Sequence, residues 1–267
     1  MTPMADCTFI HFGLLVTGIG EEQALPGLLR PLAATGLCHI QVIRRVAQRN
    51  PRKEQILPKP TITGTQQRIP TRDFEEIGAP SRAFLAADRG HFVLLIDDLE
   101  HDRRPIIESV FDRYRNALNA ALTEEQRGRA AVHFLVPMLE AYYFAHADAV
   151  NVVLNPTPPL TDYPGDVEGM HHPKGELKQR VPGFDEVEHG VQILSRLDLD
   201  RILARADTCA SLRGLIAWCV AALRCHIHAT YTDLETRFCL SDGVLLPQAR
   251  NQIATLPCPP MFEPPPA

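Results

Sequence analysis

No stretch of this chain approaches the ~18 uninterrupted apolar residues that a membrane span requires, so a transmembrane segment is not expected. A basic leader is missing too: Asp6 stands ahead of the first apolar run, which argues against a signal peptide. Positive charge is not in excess. With 27 Lys and Arg against 32 Asp and Glu the net charge is −5, and bulk electrostatics exerts no pull toward nucleic acid. Any such contact must come from a local basic patch or from bridging metal ions. The seven cysteines (Cys7, Cys38, Cys209, Cys219, Cys225, Cys239 and Cys258) are odd in number and contain no CxxC pair. That pattern speaks against a disulfide framework or a zinc site and for reduced, packed thiols in a cytoplasm. Internal repeats are absent, and no Ser-His-Asp or Cys-His grouping has a local signature. A soluble, cytoplasmic protein with no membrane partner is expected.

What is present is a chain of 267 residues, 45% hydrophobic, long enough for one large domain or two modest ones. TFIHFGLLV (8–16) reads as a buried strand, and the glycine turn TGIGEE follows it. QALPGLLRPLAAT then has the leucine spacing of a helix with Pro26 near its start, and CHIQVIRRV (38–46) reads as a second strand. Together they make a βαβ unit. FVLLID (92–97) and VHFLVPM (132–138) are further strands, separated by an amphipathic helix over 105–122, and LEAYYFAHADAVN begins another helix. Alternating strands and helices predict an α/β fold with a mostly parallel sheet over residues 1–155. After the proline-rich NPTPPLTDYPGD the texture becomes helical, with helices over 186–206 and 208–224, so 156–267 reads as a helical extension ending in an unstructured PCPPMFEPPPA tail.

Residues 47–81 are polar and rich in Pro, Gln, Arg and Thr. They read as a long loop carrying Arg49, Arg52, Lys53, Lys59, Arg68 and Arg72, either a solvated surface or a basic flap that meets a polyanion.

The densest chemistry is FVLLIDDLEHDRR (92–104), where a strand runs straight into Asp97, Asp98 and Glu100. In open parallel sheets functional groups gather where strands end. Carboxylates so close repel one another unless a proton, a cation or basic neighbours intervene. Hard divalent ions such as Mg²⁺ take one or two carboxylates and keep waters for a substrate phosphate. The competing reading is a solvated turn capping the next helix. Glu21 and Glu22 stand after the first strand's glycine turn, and in a doubly wound sheet that turn can lie beside the 92–97 strand end. Glu140, opening a helix after the 132–138 strand, can join the same edge as a ligand or can simply favour the helix dipole. The TGIG turn lacks the full G-x-G-x-x-G spacing of a dinucleotide fingerprint. An Asp97–Asp98 phosphoacceptor pocket would need a second aspartate that no other strand end supplies. Tyr142, Tyr143 and Phe144 read as core. His226 and His228, two apart on a helix, do not face one another.

A glutamate after the first glycine turn, with an acidic pair after a later strand, resembles the TOPRIM fold of topoisomerases, primases and overcoming-lysogenization-defect nucleases. More closely, VTGIGEEQALPGLL, FVLLIDDLEHDR, LEAYYFAHADAVN and HPKGELKQ resemble TOPRIM-like proteins encoded beside ATPases in bacterial defence islands. The resemblance implies a Rossmann-like, TOPRIM-like sheet and a Mg²⁺- or Mn²⁺-dependent nuclease. Glu21, with Glu22 beside it, would act at the scissile phosphate, and Asp98 and Glu100 (Asp97 on the other register) would hold metal. Lys174 would neutralise phosphate, an ATPase would be the partner, and nucleic acid would be held through its backbone; a homo-oligomer is left open. Thr17 stands where the pattern places a glutamate, and the second acid of the pair is irregular. Both departures favour the alternative of a catalytically degenerate TOPRIM subunit that serves an ATPase as regulator or sensor.

Overall fold

A computed structural model describes residues 9–50, 60–62, 68–100, 102–136, 138–226, 232–240 and 243–257. These form strands β1 (Ile10–Val16), β2 (Cys38–Arg45), β3 (Pro60–Ile62), β4 (Arg68–Pro70), β5 (His91–Asp98) and β6 (Ala130–Leu135). The strands β1, β2, β5 and β6 make one wholly parallel sheet in the order β2-β1-β5-β6, while β3 and β4 pair antiparallel as a separate ribbon. Helices cover both faces of the sheet, a Rossmann-like α/β architecture.

A parallel sheet covered on both faces needs apolar side chains in both directions, which is why β1, β5 and β6 are mostly apolar, interrupted inside only by His11, Gly13 and His133. Phe12, Leu14, Phe92, Leu94 and Ile96 point into one core layer, closed by the helices Ile19–Leu28 and Ala210–His226. Leu15, Val93, Leu95 and Val132 point into the other, closed by Ala79–Ala87 and Ile107–Ala121. Trp218 carries the first layer into the C-terminal segment, with its ring 6.3 Å from that of Phe12 and 5.8 Å from that of Phe92. The helices after residue 156 thus share one apolar cluster with the sheet. Tyr142, Tyr143 and Phe144 are buried in it, as expected.

Several local expectations are corrected. The first helix starts at Ile19, directly after the strand, so Pro26 lies near its end, where the helix stops two residues later at Leu28. The expected loop over 47–81 holds the β3–β4 ribbon and turns helical at Thr71, continuing through a π-helical turn (Phe74–Gly78) into Ala79–Ala87. Gly78 permits this, because a Cβ there would stand 2.6 Å from the Ala121 Cβ of the neighbouring helix. The segment 186–206 is two short helices, Glu188–Leu194 and Leu199–Leu203, the second capped by the Asp198 carboxylate. The segment from Leu139 first makes a 3₁₀ helix to Ala145, then an α-helix over Ala147–Leu154.

The described cysteines Cys38, Cys209, Cys219 and Cys239 are free thiols, and burial pushes Cys38 and Cys209 up to about 12. Among the described residues no helix is long and apolar enough to cross a membrane. The side chains of Arg52, Lys53, Lys59, Arg68, Cys7, Cys225, Cys258, His226 and His228, and the tail from Cys258 onward, lie outside what is described.

Candidate functional site

The order β2-β1-β5-β6 reverses direction between β1 and β5: the chain leaves β1 toward β2 on one side and β5 toward β6 on the other. Such a switch point opens a crevice beyond the carboxyl ends of the two strands, the place where open α/β sheets bind ligands. Here it is framed by residues 17–18 after β1, by Asp97 and Asp98 at the end of β5 with Arg103 beyond them, and, after β6, by Leu139 and Glu140.

Asp97, the last fully buried residue of β5, is occupied by its own neighbours. Its Oδ1 accepts from Thr17 Oγ1 at 2.9 Å and from Arg103 Nη2 at 3.0 Å, and its Oδ2 accepts from Tyr114 OH at 2.8 Å and from Arg103 Nη1. Arg103 is itself buried and also donates to the Asp98 carbonyl. Tyr114 in turn accepts from the Arg49 backbone N–H at 3.0 Å, which fastens the strand leaving β2 against the end of β5. Asp97 is therefore a structural residue whose two carboxyl oxygens are both taken up by internal partners.

The carboxylates of Glu21, Asp98 and Glu140 are in a different state. Glu21 folds back over Gly18 so closely that a Cβ on residue 18 would lie 2.0 Å from its Oε2, and its Oε1 is buried without a hydrogen-bond partner. Burial, followed by the charges of Glu140 and Asp97, raises the Glu21 carboxyl to about 7 against the opposing pull of its own backbone N–H and of Arg103. Burial likewise pushes Asp98 well above its ordinary value, helped by Glu140, Glu21 and Asp97, while the Leu139 N–H (2.9 Å from Oδ1) pulls the other way. Glu140 is raised mainly by burial, with Glu186 and Glu100 adding to it and Lys174 opposing. Acids at or after the ends of three different strands thus lie close enough for the charge of one to act on another, Glu140 acting on Glu21 and Asp98 and Glu21 on Asp98.

The other expected residues are placed differently. Glu22 is exposed and paired with Arg45 at 2.9 Å, turned toward β2 and away from the crevice. Glu100 sits on the exposed rim, near enough to act on the charges of Glu140 and Lys174. Lys174 lies on the helix Pro173–Arg180, its ammonium 2.5 Å from Glu186. Arg49 is corrected outright: it does not reach toward a polyanion but is fully buried, held by Asp73 at 2.7 Å and Glu76 at 2.9 Å. Arg72 stays at the surface, paired with the same Glu76.

Among the described residues no group of three or more His, Cys, Asp and Glu side chains is arranged to hold a metal ion. The donor chemistry of Glu21, Asp98 and Glu140 nonetheless suits a hard divalent cation, which prefers carboxylate oxygens, and the Glu21 Oε1 has no hydrogen-bond partner among the described residues. Sequence reasoning missed Arg103 and Tyr114. The first was legible in principle as the arginine returning five residues after Asp98; the second, 17 residues from Asp97 on the next helix, carried no local signal.

Fold and site together define a Rossmann-like α/β protein with an acidic crevice at its switch point. The chain belongs to the family described as Domain of unknown function (DUF4276), whose model matches residues 16–217, from the last residue of β1 across all three acid-bearing loops. Comparison with curated proteins gives no match, and comparison with solved structures gives none either.

Proposed function

We propose that this chain is a divalent-metal-dependent phosphodiesterase of TOPRIM type acting on nucleic acid, with an ATPase as its partner in anti-phage defence. The observation that carries the reading is the approach of Glu21, Asp98 and Glu140 at the switch point, where Glu140 raises the proton affinity of both Glu21 and Asp98, and Glu21 that of Asp98. Carboxylates that are mutually repelled and only partly hydrogen-bonded gain most from a cation. Glu21, Asp98 and Glu140 would hold it, with Glu100 at the rim. A bound Mg²⁺ or Mn²⁺ would supply charge neutralisation at a phosphodiester and lower the pKa of a water. Before a cation binds, Glu21, whose carboxyl is raised to about 7, can hold or release a proton near neutral pH, and cation binding would expel that proton. Arg103 fixes Asp97 and the Asp98 main chain, so Asp98 presents its side chain from an immobile base.

Labelled DNA and RNA oligonucleotides incubated with Mn²⁺, with Mg²⁺ or with EDTA test this reading. Cleavage is expected with metal only, and Glu21→Gln and Asp98→Asn should each lower its rate on the order of 10²–10³. Variants that cleave as fast as the parent chain would sink the proposal. One observation favours the second reading, a non-catalytic subunit that regulates an ATPase: Asp97, the first acid of the pair, is wholly committed to internal partners, and among the described residues no three acids are arranged to hold an ion. That reading expects no metal-dependent cleavage while partner binding survives both substitutions.

A further inference from the structure

Beside the acidic crevice, two lysines clasp one carboxylate. Glu186 Oε2 lies 2.5 Å from Lys174 Nζ and Glu186 Oε1 lies 2.5 Å from Lys178 Nζ. Lys174 and Lys178 are four residues apart on the helix Pro173–Arg180 and share one face. Two ammonium groups so placed repel each other unless an anion stands between them. The anion here comes from the turn before the helix Glu188–Leu194. That turn's backbone is fixed by Asp185, whose Oδ1 accepts from the Val187 N–H at 2.9 Å and the Glu188 N–H at 2.7 Å. Glu186 can therefore leave the lysines by side-chain rotation alone.

The clasp faces the site. Burial lowers the Lys174 ammonium, but the Glu186 hydrogen bond and the charges of Glu140, Glu186 and Glu100 more than offset this and hold it above its ordinary value. Lys174 is thus within electrostatic range of Glu140 and of Glu100 at the crevice, and Lys178 is the more exposed of the two, with nearly half of its side chain open to solvent. Ion pairs as exposed as these contribute little net stability, so a stronger anion displaces the resident one readily. A phosphate offers more oxygens and a more concentrated charge to two ammonium donors than a carboxylate does.

We infer that Lys174 and Lys178 form a binding subsite for a backbone phosphate of nucleic acid at the rim of the crevice, and that Glu186 is the internal occupant this phosphate displaces. The inference rests on the phosphodiesterase reading for the class of ligand, but not on catalysis. It gives a chain of net charge −5 a local cationic contact that is masked until substrate arrives.

The test is fluorescence anisotropy of a labelled single-stranded DNA oligonucleotide in EDTA, where no metal-dependent cleavage occurs. Glu186→Gln is expected to bind about five- to ten-fold tighter at low salt, with the slope of log K against log salt steeper by about 0.7 for each lysine released. Adding Lys178→Ala to Glu186→Gln should cancel most of that gain. Glu235→Gln is the control, because it frees Arg224 from a comparable exposed pair at 2.6 Å on a different helix. Equal tightening by Glu235→Gln would reduce the effect to net charge and overturn the inference, as would a Glu186→Gln protein that binds like the parent. Inorganic phosphate at matched ionic strength that strips the oligonucleotide from Glu186→Gln would assign the lysines to free phosphate instead, and would overturn the backbone assignment. Tighter binding by Glu186→Gln without any metal-dependent cleavage would remove the phosphodiesterase reading alone. Cleavage with an indifferent Glu186 would remove this inference alone.

Discussion

Glu21 buries its carboxyl, with one oxygen unmet by any donor among the described residues, and a pH dependence of folding follows from that burial. Its carboxyl rises from 4.5 to about 7 in the fold, so between those values the folded chain holds a proton that the unfolded chain has lost. The group's contribution to stability is complete below pH 4.5 and disappears as pH climbs through 7; a shift of this size corresponds to about 3 kcal/mol. His133 slopes the other way. Burial takes its ring down to about 3, so its contribution is lost as pH falls below 6.5. Because the two oppose each other, the informative quantity is a difference between variants. Relative to the parent chain in metal-free buffer, Glu21→Gln is expected to gain stability on going from pH 5 to pH 8, by up to about 3 kcal/mol in urea unfolding. Parallel pH profiles for the two proteins would contradict the burial of that carboxylate.

At the scale of elements, the β6 edge of the sheet is closed by a side chain. At β6 the side-chain amide of Gln252 imitates a neighbouring strand: Val132 N–H donates to its Oε1 at 2.7 Å, and its Nε2 donates to the Val132 carbonyl at 2.8 Å. Gln252→Ala leaves two buried main-chain groups unmet and should destabilise the protein by about 2–4 kcal/mol in urea unfolding, with faster exchange of the Val132 amide. Nothing in the sequence announces this pairing, since its partners lie 120 residues apart. The strands themselves were legible, because a parallel sheet writes its burial as continuous apolar runs, and so was the acidic end of β5. The burial of Arg49 was not. A guanidinium in a polar, proline-rich stretch reads as solvent-facing, and only the arrival of Asp73 and Glu76 from a helix two dozen residues on reverses that. Pro26 misled for a related reason: the helix begins immediately at the strand's end, which spacing alone does not reveal.

For the whole molecule, the C-terminal helices complete the core of the sheet. Trp218, the sole tryptophan, is fully buried between helix Ala210–His226 and the rings of Phe12 and Phe92. Arg213 on the same helix donates to the carbonyls of Leu203, Arg205, Thr208 and Phe238, gathering several segments around one guanidinium. Urea unfolding followed by tryptophan fluorescence and by far-ultraviolet circular dichroism should therefore trace a single coincident transition. An earlier loss of the fluorescence signal would mean that the C-terminal helices come away before the sheet melts.

Thr17 carries a last implication. Its hydroxyl donates to Asp97 and accepts from the Asp98 N–H at 3.3 Å, a stitch between the ends of β1 and β5. An acid in its position would set another negative charge directly against Asp97 and unpick that seam. The residue that departs from the resembled motif is thus the one that welds the glycine turn and the acidic loop into a single plate. Asp98, at the end of β5, is thereby pinned to the turn from which the helix bearing Glu21 departs.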